Sequence, residues 1–253
     1  MRLLSELGAS ELMLGDAHSA LTHLAAALKL SSDDPELMRD YGEALLVTGR
    51  AAEAVKVLQD AREIDESNPH TATTLGDALA ALGQTDKALL AYDDATNLDR
   101  AHGPAWFHKG LLLAKKGDYP AAVAAYRAAL KVDPGNVKAR LSLGVALSKL
   151  SGQEKEGVKL LRAVVEKEPT FAEAHAQLGL ALEREGDLAG AEQSLADAVA
   201  RRGDDARLYE ELARIQEKRG KKKEAQATLK TAQKFSKGQP KCCLLYTSDA
   251  ADE

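Results

Sequence analysis

Six histidines are the side chains of this sequence best suited to metal binding or proton transfer, yet their spacing favours neither. They are His18, His23, His70, His102, His108 and His175. Two histidines four residues apart on one helix can bind zinc together, and no such pair occurs. A phosphate-binding Gly-x-x-x-x-Gly-Lys loop and a Gly-x-Ser-x-Gly nucleophile motif are also missing from the sequence. We therefore expect no catalytic residue, metal site or cofactor, and interpret the histidines as surface or groove residues.

The composition favours a helical protein over a strand-rich one. Hydrophobic residues, mostly leucine and alanine, make up 45% of the 253 residues, whereas aromatic residues make up 4% and only seven prolines occur. No segment approaches the roughly 18 apolar residues of a membrane span. The first residues lack the apolar core of a signal peptide. A cytoplasmic location is therefore favoured, and a periplasmic or envelope location stays open if a signal precedes this sequence.

Positive charge is concentrated near the C-terminus. Nine basic residues and one acidic residue lie between Lys218 and Lys241, although the whole sequence carries a formal charge of −5. A basic segment can bind nucleic acid or anionic lipid. This one lacks the series of interleaved aromatic residues that stack on bases. We interpret it as a polar cap and do not expect a nucleic-acid partner.

Five residue columns recur at intervals of 34 residues, with one interval of 35. The first column is Gly8, Gly42, Gly76, Gly110, Gly144, Gly179 and Ala213. The second is Gly15, Gly49, Gly83, Gly117, Gly152, Gly186 and Gly220. Two columns of mostly alanine flank a column of large residues, which are Leu24, Leu58, Tyr92, Tyr126, Leu161, Leu195 and Leu229. Seven units of two helices each account for this pattern.

Each column has a physical explanation. Glycine in the middle of a helix costs about 1 kcal/mol, so the first column predicts the close approach of a neighbouring helix. Glycine in the second column suits a left-handed residue that ends the first helix. The alanines and the large residue between them form one apolar face of the second helix. Entry to the next hairpin is marked by proline, at Pro35, Pro69, Pro134 and Pro169.

The columns resemble those of the tetratricopeptide repeat (TPR) family. The fourth unit matches the family's spacing best, through Trp106, Lys109, Gly110, Leu113, Ala122, Tyr126 and Pro134, with lysine replacing the usual leucine. The resemblance implies an all-α fold, a right-handed α-α superhelix (TPR solenoid) of seven helical hairpins. The units span about 1–34, 35–68, 69–102, 103–136, 137–171, 172–205 and 206–237. The fifth unit departs from the pattern at Gly157, which indicates either a looser joint or ordinary drift.

The two ends do not follow the repeat pattern. Residues 238–253 are predicted to be a disordered tail, and residues 243–253 resemble a translated sequencing adapter and are interpreted as non-native. The first helix has an apolar content that an upstream neighbour normally covers. Either a preceding segment or self-association through this uncapped N-terminal repeat would cover it.

The resemblance also implies where a partner binds, because the first helix of each hairpin lines the concave groove in this family. The predicted groove residues are Thr73, Asp77, Phe107, His108, Leu111, Leu141, Ser142, Val145 and Leu180. We expect an exposed apolar centre with an acidic flank on one side and a basic flank, including Arg214 and Lys218, on the other. The alternative is that the apolar residues only pack between helices. The lysine and asparagine set that clamps a terminal carboxylate in chaperone-binding members does not occur in order.

The sequence therefore predicts a non-catalytic scaffold or adaptor that binds an extended peptide or helix of a partner protein. Two alternatives remain open. The repeats could be the substrate-docking region of a larger enzyme, such as a protein-modifying glycosyltransferase, or an envelope assembly factor.

Overall fold

A computed structural model describes residues 2–236, and within that range every regular element is a helix. The prediction of an all-α helical repeat is confirmed, and the predicted tail lies outside the described residues. The fourteen helices of this range are α1 (Arg2–Met13), α2 (Ala17–Leu28), α3 (Pro35–Val47), α4 (Ala51–Ile64), α5 (Pro69–Ala81), α6 (Thr85–Leu98), α7 (Gly103–Lys115), α8 (Tyr119–Val132), α9 (Val137–Ser148), α10 (Glu154–Lys167), α11 (Ala172–Glu185), α12 (Leu188–Arg201), α13 (Ala206–Lys218) and α14 (Lys222–Ser236). None of them is long and apolar enough to cross a membrane.

Local sequence signals determine where the helices begin and end. The Asp34 carboxylate accepts hydrogen bonds from two backbone amides of the first turn of α3, and Pro35 is the first residue of that helix. Asn68 and Pro69 do the same for α5. Pro134 and Pro169 instead lie in the turns that precede α9 and α11. The second glycine column is left-handed throughout, with φ between 72° and 91°, as predicted.

The predicted close approach of helices is also confirmed. A Cβ atom placed on a first-column glycine would lie only 2.5 to 2.9 Å from the large side chain of the next helix. The pairs are Gly8 with Leu24, Gly42 with Leu58, Gly76 with Tyr92, Gly144 with Leu161, and Gly179 with Leu195. Each pair joins the two helices of one hairpin. Glycine is therefore required for the large side chain to lie directly against the first helix.

The chain forms two compact units. Among the described residues, the first contains those up to Leu113 together with Arg127–Pro134, and the second contains Ala114–Tyr126 and those from Gly135 onward. The core of the first unit is built around Leu24, Leu58 and Tyr92, all at most 2% exposed. The core of the second unit is built around Leu161 and Leu195, which are fully buried.

The first and fifth hairpins concern the predictions of an uncovered apolar first helix and of an irregular fifth unit. In α1 and the turn after it, Leu3, Met13 and Leu14 are between 78% and 90% exposed, so an apolar surface is indeed uncovered within the described chain. In the fifth hairpin, a Cβ on Gly157 would lie 2.6 Å from the Ser148 backbone nitrogen. Glycine thus lets α10 touch the backbone of α9 within this hairpin, and the looser joint between units stays a prediction.

We expect Gly76→Ala to lower the free energy of unfolding by roughly 1–3 kcal/mol, because its Cβ would overlap the buried ring of Tyr92. Helix propensity alone predicts the opposite, a gain of about 1 kcal/mol. Denaturant melts decide between the two signs. The matched control is Gly103→Ala, where the new Cβ has ordinary contacts at 3.4 Å from Val132. That variant should be neutral or stabilised by less than about 1 kcal/mol, and a stabilised Gly76→Ala would contradict the packing described here.

Candidate functional site

A depression of about 440 Å³ opens on the first helices of the first unit. Its walls come from α3, α5 and α7, which are the first helices of three successive hairpins, and from the turn before α7. No lysine or arginine lines it. The lining residues are Glu43, Leu46, Val47, His70, Thr73, Thr74, Asp77, His102, Pro104 and His108.

Asp77 is held in place by two hydrogen bonds to one of its oxygens. The Tyr92 hydroxyl donates to Asp77 Oδ1 at 2.6 Å, and His108 Nδ1 lies 2.7 Å from the same oxygen. Tyr92 is only 2% exposed, and it is the large residue that packs against Gly76. The hairpin contact that builds the fold thus also positions a carboxylate in the depression.

His108 is in contact with Asp77, and this contact controls its protonation. Burial lowers the pKa of His108, but the hydrogen bond and the negative charge of Asp77 outweigh burial, so the pKa lies above its ordinary value of 6.5. Because the folded pKa is raised, the stabilisation from protonated His108 is present in full below pH 6.5. It is lost as the pH rises through the folded pKa. The pair is thus more fully charged in mildly acidic solution.

Glu43 is the second carboxylate of the depression and differs from Asp77 in its surroundings. It is exposed, and it forms no hydrogen bond or ion pair with any described residue. Loss of hydration among the surrounding protein atoms raises its pKa, and the charges of Asp40 and Asp77 raise it further. Arg39, whose guanidinium is hydrogen-bonded to Asp40 at 2.7 Å, lowers this pKa by more than Asp77 raises it.

Two further histidines form one wall of the depression. The rings of His70 and His102 meet edge to face, with their centroids 4.4 Å apart. His102 is only 6% exposed, and its Nε2 atom has no hydrogen-bond partner among the described residues. Burial and the neighbouring His70 both lower the pKa of His102, so it is neutral at pH 7. No group of three His, Cys, Asp or Glu side chains suited to a metal ion occurs in the described part of the chain.

The expectation that all six histidines are surface or groove residues is wrong for His175, whereas His102 lines the depression but is buried. Both are less than 9% exposed, and His175 Nε2 lies 3.1 Å from the backbone oxygen of Pro169. The spacing between residues in the sequence could have predicted the contact between His70 and His102. Residues 31 or 32 apart meet across neighbouring hairpins here, as Asp77 and His108 do, and His70 and His102 have the same spacing.

The predicted groove residues fall into two groups. Thr73, Asp77 and His108 line the depression of the first unit, and Phe107 and Leu111 are half-buried on α7 of the same unit. The other four belong to the second unit, where Ser142, Val145 and Leu180 are half-buried. Their part in a groove stays a prediction.

Leu141 requires a correction. It is only 9% exposed and belongs to the core of the second unit, so the expectation that it would form part of an exposed apolar patch is wrong. The physical reason is that Leu141 packs against the other buried apolar residues of that core. In the same repeat column, Thr73, two repeats before, and Ala176, one repeat after, are also buried, and Phe107, one repeat before, is half-buried.

Two cations of the predicted basic flank are neutralised by ion pairs. Arg214 forms an ion pair with Glu183, and Lys218 Nζ lies 2.7 Å from the same carboxylate. Two cations sharing one acid lower the pKa of Glu183, against the effect of its burial. Arg214 also pairs with Glu211, so these side chains are engaged within the second unit.

Comparison with known families agrees with the repeat pattern. Models described as "TPR repeat" or "Tetratricopeptide repeat" match residues 11–70, 70–102, 110–151, 152–206 and 186–240. The chain belongs to the tetratricopeptide repeat family. No curated protein sequence gives a significant match.

Solved structures of other TPR proteins share this fold. A tetratricopeptide repeat protein from Parabacteroides merdae is 21% identical, with a TM-score of 0.71 over 92% of each chain. A thermophilic TPR protein from Thermus thermophilus is 22% identical, with a TM-score of 0.61 over 72% of this chain and 98% of its own. YrrB, described as a TPR protein with an unusual peptide-binding site, is 19% identical, with a TM-score of 0.59 over 72% of this chain and 93% of its own. At these identities the likeness concerns the fold.

We expect Asp77→Asn to bring the pKa of His108 below 6.5, because burial would then act without an opposing negative charge. A pH titration of the histidine ring protons by NMR measures this, with the His108 signal assigned from a His108→Gln variant. The control is Asp94→Asn, which removes a carboxylate that pairs with Arg62 outside the depression. A His108 pKa that is the same in Asp77→Asn and in the wild type would contradict the described contact.

Proposed function

We propose that this TPR protein is a scaffold whose first unit binds an extended peptide segment of a partner protein in the depression on α3, α5 and α7. The observation that supports this most is that three successive first helices contribute side chains to one concave surface. Ligand sites are usually concave, with a few fixed polar groups among apolar ones. Asp77 and His108 are such fixed groups, and Val47 and Pro104 lie beside them.

The polar character of the depression favours a peptide over a purely apolar helix face. Carboxylates, hydroxyls and imidazoles can hydrogen-bond to the side chains and the backbone of an extended segment. The peptide-binding site of YrrB, a protein of the same fold, makes a peptide the first occupant to test. The burial of Leu141 moves the proposed site away from the apolar centre that the sequence suggested, into the first unit.

Thr74→Trp should abolish this binding by filling the depression. Thr74 is half-buried, lines the depression and uses its hydroxyl only for a bond to the His70 carbonyl one turn earlier. Peptides selected from a random linear library on the wild-type protein should bind Thr74→Trp at least about tenfold more weakly. Affinities can be measured by fluorescence polarisation, with the fold of each variant checked by circular dichroism.

The matched control is Thr22→Trp, because Thr22 makes the same type of bond to the His18 carbonyl on α2, outside the depression. This variant should bind the selected peptides as the wild type does. The proposal fails if the library yields no binder, or if the binders tolerate Thr74→Trp as well as they tolerate Thr22→Trp.

A further inference from the structure

We infer that the depression of the first unit binds a basic side chain, lysine or arginine, of the partner segment between Glu43 and Asp77. This inference rests on the proposed function, because it specifies the chemistry of the peptide that the first unit binds.

The balance of charge around the depression is negative. Glu43 and Asp77 are its two carboxylates, and Glu43 has no ion-pair partner among the described residues. Arg39, the cation whose charge acts on Glu43, is already paired with Asp40. Protonated His108 can compensate Asp77, but no cation that lines the depression pairs with Glu43, so at least one carboxylate charge is uncompensated. A cationic group is complementary to that field.

His102 provides an independent sign that a group binds here. His102 lines the depression and is only 6% exposed, and its Nε2 atom has no hydrogen-bond partner in the described chain. A buried polar atom without a partner destabilises a protein and calls for an explanation, and a bound group that satisfies it is one. A neutral imidazole can accept a hydrogen bond from an ammonium, a guanidinium or a peptide N–H.

The other chemical classes of occupant fit less well. A carboxylate, either acidic or C-terminal, would be repelled by Glu43 and Asp77. An apolar side chain would remove water from both carboxylates without replacing their hydrogen bonds, which is unfavourable. A lysine or arginine side chain supplies the missing charge and several donors, while its methylene groups can lie against Val47 and Pro104.

The test uses the sequences and affinities of peptides selected from a random linear library on the wild-type protein. We expect the selected peptides to share lysine or arginine at one position. Binding of these peptides should be at least about tenfold weaker to Glu43→Gln. It should be unchanged for Glu63→Gln, the same charge change at an exposed position on α4. Replacement of the shared basic residue by norleucine, an uncharged side chain, should weaken binding to the wild type similarly.

Failure of this inference can be told apart from failure of the proposed function. Peptides that are blocked by Thr74→Trp but have no basic residue in common, or that bind Glu43→Gln as tightly as wild type, leave peptide binding standing and overturn the choice of a basic side chain. An absence of any binder overturns the proposed function itself.

A second variant, His102→Leu, tests the buried atom. If Nε2 serves a bound group, the variant should have a melting temperature equal to or above that of the wild type, and its affinity for the selected peptides should fall at least about fivefold. A lower melting temperature with unchanged affinity would show that His102 has a structural role only, and would overturn its place in the site.

Discussion

The contact between a mid-helix glycine and the large side chain of the following helix is the constraint on which the hairpins depend. At five hairpins a Cβ on that glycine would lie less than 3 Å from a leucine or tyrosine side chain. The helices of a hairpin therefore lie as close as their backbones allow, and packing there offsets the roughly 1 kcal/mol that glycine costs a helix. Because the contact repeats, residues 31 or 32 apart meet across neighbouring hairpins at several points of the structure.

In the third hairpin this packing contact also serves the candidate site. Most of the units carry leucine at the large position, whereas the third carries Tyr92, whose ring fills the space over Gly76. Its hydroxyl then reaches Asp77, and His108 of the next hairpin lies against the same oxygen. Tyrosine at this position, in place of leucine, thus both packs in the core and holds the Asp77 carboxylate. The depression is preorganised because the Asp77 carboxylate is hydrogen-bonded to Tyr92, whose ring is fixed by its packing within the hairpin.

Most of the fold could be predicted from the sequence because its signals are local. The left-handed glycines, the capping Asp34 and Asn68 and the glycine columns each act within one hairpin, and each repeats. The site was harder to predict because two columns of the first helices look alike in sequence. Thr73, Leu141 and Ala176 are buried in a column that also holds the half-buried Phe107, whereas Glu43, Asp77, Leu111 and Val145 occupy one that stays at least partly exposed. Hydrophobicity cannot separate them, since apolar residues occur in both.

The ion pairs of Arg214 and Lys218 and the burial of His102 could not be predicted for a related reason. Whether Arg214 and Lys218 are available depends on Glu183, which lies one hairpin away and shares no local pattern with them. The burial of His102 depends on its place in the turn before α7 and on His70 of the preceding hairpin. Such pairs become visible only when the spacing of one repeat is applied to polar residues as well as to apolar ones.

The central claim is that the regular hairpin packing presents α3, α5 and α7 as one binding surface in the first unit. It is tested most directly by mapping amide chemical-shift changes while the protein is titrated with a library-selected peptide. The account predicts that the largest changes occur in these three helices, around Glu43, Thr74 and His108, with small changes in α4 and α6. Changes concentrated in the second helices of the hairpins, or in the second unit alone, would contradict it.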